Sequence, residues 1–168
     1  MTNDVSLRAM EPEDLDLLYR IENDPQLWGV STSNVPYSRY TLHDYIAHSS
    51  GNIYIDGQVR LMIENEAHDV VGIADMVNFD AKHRRAELGL VIERQHRHKG
   101  YAQKAMSLIA NYALSVLHLH QIYVIVSADN IAPIKLFQKL GFTKGNMLKE
   151  WLYDGKKYTD ALMMQKIL

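Results

Sequence analysis

Three segments in the middle of the chain limit its fold more than any other feature. Residues 88–92 form a short apolar run. Residues 102–117 place Ala102, Ala105, Met106, Ile109, Ala113, Val116 and Leu117 at helical spacing, and residues 122–126 are a continuous run of strand formers. A strand, a helix of that length and a second strand make a crossover unit, so the two strands are expected to lie parallel in one sheet. The run 122–126 has no polar alternation, which predicts a strand covered on both faces.

The rest of the pattern builds outward from that unit. Residues 5–9 alternate like a strand. Pro12 suits a first helical turn, Glu13 and Asp14 are well placed against the helix dipole, and Leu15, Leu18 and Tyr19 form an apolar stripe that Asp24-Pro25 ends. Residues 28–37 have no period and read as a loop. Ser38 predicts a cap for a short helix carrying Leu42, Tyr45 and Ile46. Residues 58–64, 70–79 and 84–92 read as three strands of an antiparallel meander. After the second parallel strand, Asp129 or Asn130 caps a helix that tolerates Pro133 in its first turn and ends at Gly141. The tail, 148–153 and 157–165 around Asp154-Gly155, predicts a hairpin with a primed turn. The fold class is α+β: a mixed sheet, antiparallel at both ends, with one parallel pair in its middle, in a single domain spanning residues 1–168.

The junction between the strand at 88–92 and the long helix is Arg97-His98-Lys99-Gly100-Tyr101-Ala102. A helix start has unpaired amides and a positive dipole end. Gly100 lets the backbone come close to a ligand, Ala102 keeps the first turn uncrowded, and three basic side chains add charge. That combination fits a pyrophosphate. A solvated basic loop is the plainer alternative.

Composition narrows the function classes. With 168 residues, 47% apolar residues and 23% charged, the chain can bury a proper core. A net charge of −2 gives no support for general nucleic-acid binding. There are no cysteines, which removes disulfide scaffolds, Cys-based zinc sites and thiol nucleophiles. His96, His98, His118 and His120 have paired spacing but no completing carboxylate, so no metal is expected. The first residues lack a signal-peptide pattern and no run approaches a membrane span, so a cytoplasmic protein with no membrane partner is expected.

The order of elements, with Arg-His-Lys-Gly-Tyr-Ala opening the central helix, resembles the GNAT superfamily of acetyl-CoA-dependent N-acetyltransferases. The run 83–88 before the loop, Asn130 at the start of the next helix, and Lys139-Leu140-Gly141-Phe142 at its end carry the same resemblance. Within the superfamily the chain is similar to bacterial spermidine N-acetyltransferases, with ribosomal-protein N-terminal acetyltransferases as near neighbours. The resemblance implies that the two parallel strands splay apart. It implies that Gly89, Leu90, Val91 and Ile92 offer main-chain groups to the pantetheine arm of acetyl-CoA. It further implies that Arg97, His98, Lys99, Gly100, Tyr101 and Ala102 wrap the pyrophosphate, while Asn130, Pro133 and Phe137 flank the cosubstrate. An amide near Val91 would be the oxyanion donor, and a homo-oligomer is expected.

The chemistry assigns the remaining roles. An alkylammonium has a pKa of about 10, so the site must take a proton before the amine can attack. Glu87 shares a strand face with Gly89 and Val91 and is the candidate acceptor; an ion pair with Arg84, Arg85 or a neighbouring strand is the alternative. Many relatives carry a Tyr where this chain has Phe137, which has no proton to give. Tyr123, Tyr101, Ser127 or water must serve the leaving thiolate, or nothing needs to, and Tyr123 is the chosen candidate. For the acceptor, Glu22, Trp28, Tyr37 and Glu87 are the candidate contacts. Glu22 belongs to an acidic group with Glu11, Glu13, Asp14, Asp16 and Asp24, and Tyr40 adds a further face for cation–π contact. Trp151 and Tyr153 either wall the acceptor cleft or fill the core. The expected acceptor is a small polyamine, spermidine or spermine. A protein N-terminus and a CoA-binding regulatory module with little turnover are the alternatives.

Overall fold

The computed structural model describes residues 4–25 and 35–168, so Trp28 lies outside the described residues. Seven strands form one sheet in the order β1-β2-β3-β4-β5-β7-β6. They are β1 (Val5–Ala9), β2 (Val59–Asn65), β3 (Val70–Asp80), β4 (Arg85–Ile92), β5 (Gln121–Ser127), β6 (Thr143–Tyr153) and β7 (Tyr158–Ile167). Every neighbouring pair is antiparallel except β4 and β5, as predicted.

The helices form where caps and apolar stripes coincide. A 3₁₀ turn at Pro12–Asp14 leads into α1 (Leu15–Glu22). Asp14 fixes that entry: its carboxylate accepts from the Glu11 amide at 2.8 Å and from Arg8 at 2.7 Å. In α2 (Arg39–His48) the Ser38 hydroxyl accepts from the Thr41 amide at 3.0 Å, the expected cap. A one-turn helix α3 (Ile53–Asp56) was not expected; Asn52 caps it, and Gly57 ends it at φ +69°. The long helix α4 (Tyr101–Ser115) and α5 (Ile131–Lys139) complete the set. Among the described residues, no helix is long and apolar enough to cross a membrane.

The two sheet faces bury different partners. Ala86 and Leu88 of β4 and Ile122 and Val124 of β5 share one core with Ala105, Ile109 and Ala113 of α4 and with Ile134 and Phe137 of α5. Met62 and Ile73 are cross-strand partners on the opposite face and pack against Leu17 and Leu18 of α1 and Leu42 and Ile46 of α2. Val91 pairs with Ile73, so Glu87, Gly89 and Val91 lie on the face of α1 and α2. The helix α4 therefore sits behind the sheet, and α1 and α2 sit in front of it.

Three expectations need correction. The strand β5 is not covered on both faces: Ile122, Val124 and Val126 are buried, but Tyr123 and Ile125 between them are only half-buried. The second face borders a cleft instead of a packed layer. The tail hairpin does not close through a two-residue primed turn. Tyr153 pairs with Tyr158, and Asp154 staples the four-residue loop by accepting from the amides of Lys156 and Lys157. Trp151 and Tyr153 neither wall the cleft nor fill the core: each is 57% exposed on the edge strand β6.

Candidate active site

The strands β4 and β5 pair over just three positions: Arg85 with Gln121, Ala86 with Ile122 and Glu87 with Tyr123. Beyond Glu87, β4 continues to Ile92 with β3 alone as its partner, so the sheet opens into a V. The main chain from Gly89 to Ile92 therefore has a ladder on one side and a gap on the other. A cleft of about 590 Å³ fills the gap, within the range of small-molecule sites. Leu88, Leu90, Val124, Val126, Pro133 and Phe137 line it from the α4 side, and Glu22, Tyr37, Tyr45, Arg60, Asp75 and Glu87 from the α1 side. The cleft thus passes through the sheet from face to face.

The turn from β4 into α4 leaves its helix start open. Gly100 starts α4 at φ +82° and no side chain caps that start. His98, two residues earlier, also has positive φ, at +62°. Both residues bend the backbone so that it curls round the helix end, whose first-turn amides have no side-chain acceptor. A side chain at Gly100 would meet no protein atom within 4 Å, so the space above it is open to a ligand. The Arg97 Nε donates to the Ile92 carbonyl at 3.0 Å, which folds its side chain against the end of β4. Tyr101 is buried with its ring edge-on to His96, 6.1 Å between centroids, which removes it as a proton donor to the cleft. Asn130 occupies the cap position of α5 without a capping bond, and it borders the cleft.

At the apex of the V, Glu87 is half-buried. It accepts a hydrogen bond from the Asn78 amide at 2.8 Å and, among the described residues, makes no ion pair. The two arginines that offered the alternative are engaged elsewhere: Arg85 pairs with Asp80 at 3.0 Å, and Arg84 donates to the His118 carbonyl. Asn78 reaches Glu87 because β3 loses register between Val77 and Asp80, and Asn78 sits at φ +50° in that irregularity. Asn tolerates this conformation better than other side chains. Tyr123 stands beside Glu87 in the ladder but is not on the cleft wall. Burial, and then the Glu87 charge, push its phenol above the ordinary value, so it holds its proton at neutral pH. Ser127 is on the wall further up β5.

The acidic group around α1 separates into different tasks. Asp14 is 5% exposed and bonded to Arg8, and Asp16 pairs with Arg39. Of that group, Glu22 alone lines the cleft. Tyr37 lines it too, whereas Tyr40 is 80% exposed and does not. The sequence reading missed Asn78, Arg60, Asp75 and Tyr45. Arg60 and Asp75 are isolated charges on two strands, and they meet through a register that the sequence does not reveal.

A family model described as the acetyltransferase (GNAT) domain matches residues 4–143. The chain is 30% identical to a spermidine N(1)-acetyltransferase of Escherichia coli over 163 residues, covering 95% of this chain and 84% of that one. It is 24% identical to a spermidine N(1)-acetyltransferase of Vibrio cholerae over 165 residues, covering 98% and 93%. The crystal structure of spermidine N-acetyltransferase from Vibrio cholerae in complex with CoA and spermine superposes with a TM-score of 0.85 at 25% identity, covering 98% of this chain and 95% of that one.

Proposed function

The chain belongs to the GNAT acetyltransferase family, and on that premise we propose that it transfers the acetyl group of acetyl-CoA to a primary amine of a polyamine such as spermidine or spermine. The observation that carries this reading is the cleft through the parted strands, lined on its α1 side by Glu22, Asp75 and Glu87, together with the uncapped helix start that follows β4 in the chain.

Acetyl-CoA supplies an acyl group activated as a thioester. The residues fit it: the open β4 edge from Gly89 to Ile92 suits the pantetheine arm, and the amides from Gly100 to Ala102, with Arg97, His98 and Lys99, suit the pyrophosphate. Asn130, Pro133 and Phe137 flank it from α5. Glu87 accepts the ammonium proton, directly or through a water, so that the neutral nitrogen can bond to the acetyl carbon as the C–S bond breaks. A main-chain amide of β4 near Val91 stabilises negative charge on the carbonyl oxygen. Tyr123 stands off the cleft wall and serves the departing thiolate through a water, and the thiolate's pKa of about 8.5 makes that demand small. Glu22, Tyr37 and Trp28 serve the cationic acceptor.

A free-thiol release assay tests the proposal, with acetyl-CoA and a panel of spermidine, spermine and N-terminal peptides. Thiol release with the polyamines is expected. Turnover with peptides alone would assign the chain to N-terminal acetylation, and cofactor stabilisation without turnover would make it a binding module. A homo-oligomer is part of the same reading: Met147, Trp151, Tyr153 and Tyr158 are exposed on the hairpin at the sheet edge.

A further inference from the structure

Four charged residues line the cleft among the described residues: Glu22, Asp75, Glu87 and Arg60. Three carboxylates and one guanidinium leave a formal charge of −2. Arg60 is an unusual tenant of a site that receives a polycation, and its placement is highly specified. Its Nε and one Nη hold both oxygens of Asp75 at 2.6 and 3.0 Å, and the other Nη donates to Glu22 at 2.7 Å. Its guanidinium lies over the Tyr45 ring, 5.6 Å from the centroid. The side chain is 15% exposed. A forked pair of this kind fixes the cation in one place.

The position of that cation relative to Glu87 gives it a role. Arg60 pairs with Asp75, and Asp75 pairs with Gly89, so the three form a row across β2, β3 and β4. Glu87 is two residues before Gly89 on the same face, roughly 7 Å along the strand. That is about one alkyl arm of a polyamine. An acceptor whose reacting nitrogen lies at Glu87 therefore brings its next nitrogen to the row where Arg60 already stands between two carboxylates.

We propose that Arg60 is the specificity-determining residue of the acceptor cleft: it occupies a cation position between Glu22 and Asp75 and thereby limits how many ammonium groups the cleft holds. This inference rests on the polyamine reading. With −2 remaining, the cleft accommodates two ammonium groups of the acceptor, and further ones stay outside. Removing the Arg60 charge opens a third cation position, and removing the Glu22 charge closes one.

The test measures kcat/KM for putrescine, spermidine and spermine in the wild type, Arg60→Gln, Arg60→Lys and Glu22→Gln. The spermine-to-putrescine ratio is expected to rise about tenfold in Arg60→Gln and to fall by a similar factor in Glu22→Gln. Both changes should shrink at high salt. Arg60→Lys keeps the charge and should keep the wild-type ratio whatever it loses in stability. Ratios that move in the same direction in Arg60→Gln and Glu22→Gln, or do not move, would overturn the proposal. Should Arg60→Gln fail to fold, the sign of the Glu22→Gln shift decides. No thiol release by the wild type with any polyamine would instead overturn the polyamine reading itself.

Discussion

Glu87 and Tyr123 are directly opposite each other in the last paired position of the β4–β5 ladder, immediately before the strands part. A carboxylate and a phenol are thereby held at the point where main-chain hydrogen bonding stops and the cleft begins. Register places them there: paired positions share a sheet face, so neither side chain can turn toward α4 without breaking the ladder.

Glu87→Gln is expected to lower kcat by roughly 100-fold, the usual scale for losing a general base. The side chain keeps its volume and can still meet Asn78, so acetyl-CoA affinity should stay within about twofold by calorimetry. An unaltered kcat across the pH range would reduce Glu87 to scaffold.

Tyr123→Phe should lower kcat about tenfold, less than the Glu87 change, because a thiolate is a fair leaving group unaided. The phenol is kept protonated above neutral pH by burial and by Glu87, so it is available as a donor under assay conditions. Phe137 lines the cleft from α5 with its ring edge-on to Phe142, 5.2 Å between centroids. Adding a hydroxyl there, Phe137→Tyr in the Tyr123→Phe background, should recover part of the loss. Full activity of Tyr123→Phe alone would mean that the thiolate departs without this residue.

Gly100→Val should weaken acetyl-CoA binding by at least about tenfold. Two effects combine. A β-branched side chain resists the left-handed backbone at φ +82°, at about 1–2 kcal/mol, and its branch enters the space above the helix start. The protein itself offers no clash, so the fold should survive, and circular dichroism should be unchanged. Retained affinity by thermal shift with acetyl-CoA would remove the loop from the binding site.

The sheet and its parallel pair were legible because buried strands and the long helix carry their periods openly, and β1 begins and ends where its alternation does. The turn into α4 was legible because a glycine just before an apolar helical run marks a left-handed helix entry, as Gly100 shows at φ +82°. Local pattern could not reveal groups that meet across strands. Asn78 reaches Glu87 through a bulge, and Arg60 joins Glu22 and Asp75 from three separate elements. The acidic cluster at α1 misled for the converse reason. Neighbours in sequence alternate round a helix, so Asp14 turns to Arg8, Asp16 to Arg39, and Glu22 alone to the cleft.

Asp14, buried against Arg8, ties the fold to pH in the acid range. Burial raises its pKa, but the Arg8 hydrogen bond, the Glu11 amide and the Arg8 charge outweigh burial and hold it below the ordinary aspartate value. The folded state therefore binds its proton later than the unfolded chain as the pH falls. The stability this confers is fully present above the unfolded value of about 3.9 and disappears as pH drops through the lower folded value. Asp14→Asn keeps an acceptor for the Glu11 amide yet loses the charge that Arg8 requires, so it should cost about 2 kcal/mol at pH 7. The same variant should show a shallower loss of stability between about pH 4 and pH 2, because one of the titrating groups is gone. Urea unfolding followed at several pH values measures both effects. An Asp14→Asn variant as stable as the wild type at pH 7, with the same acid slope, would mean that the Arg8 contact contributes nothing net to the fold.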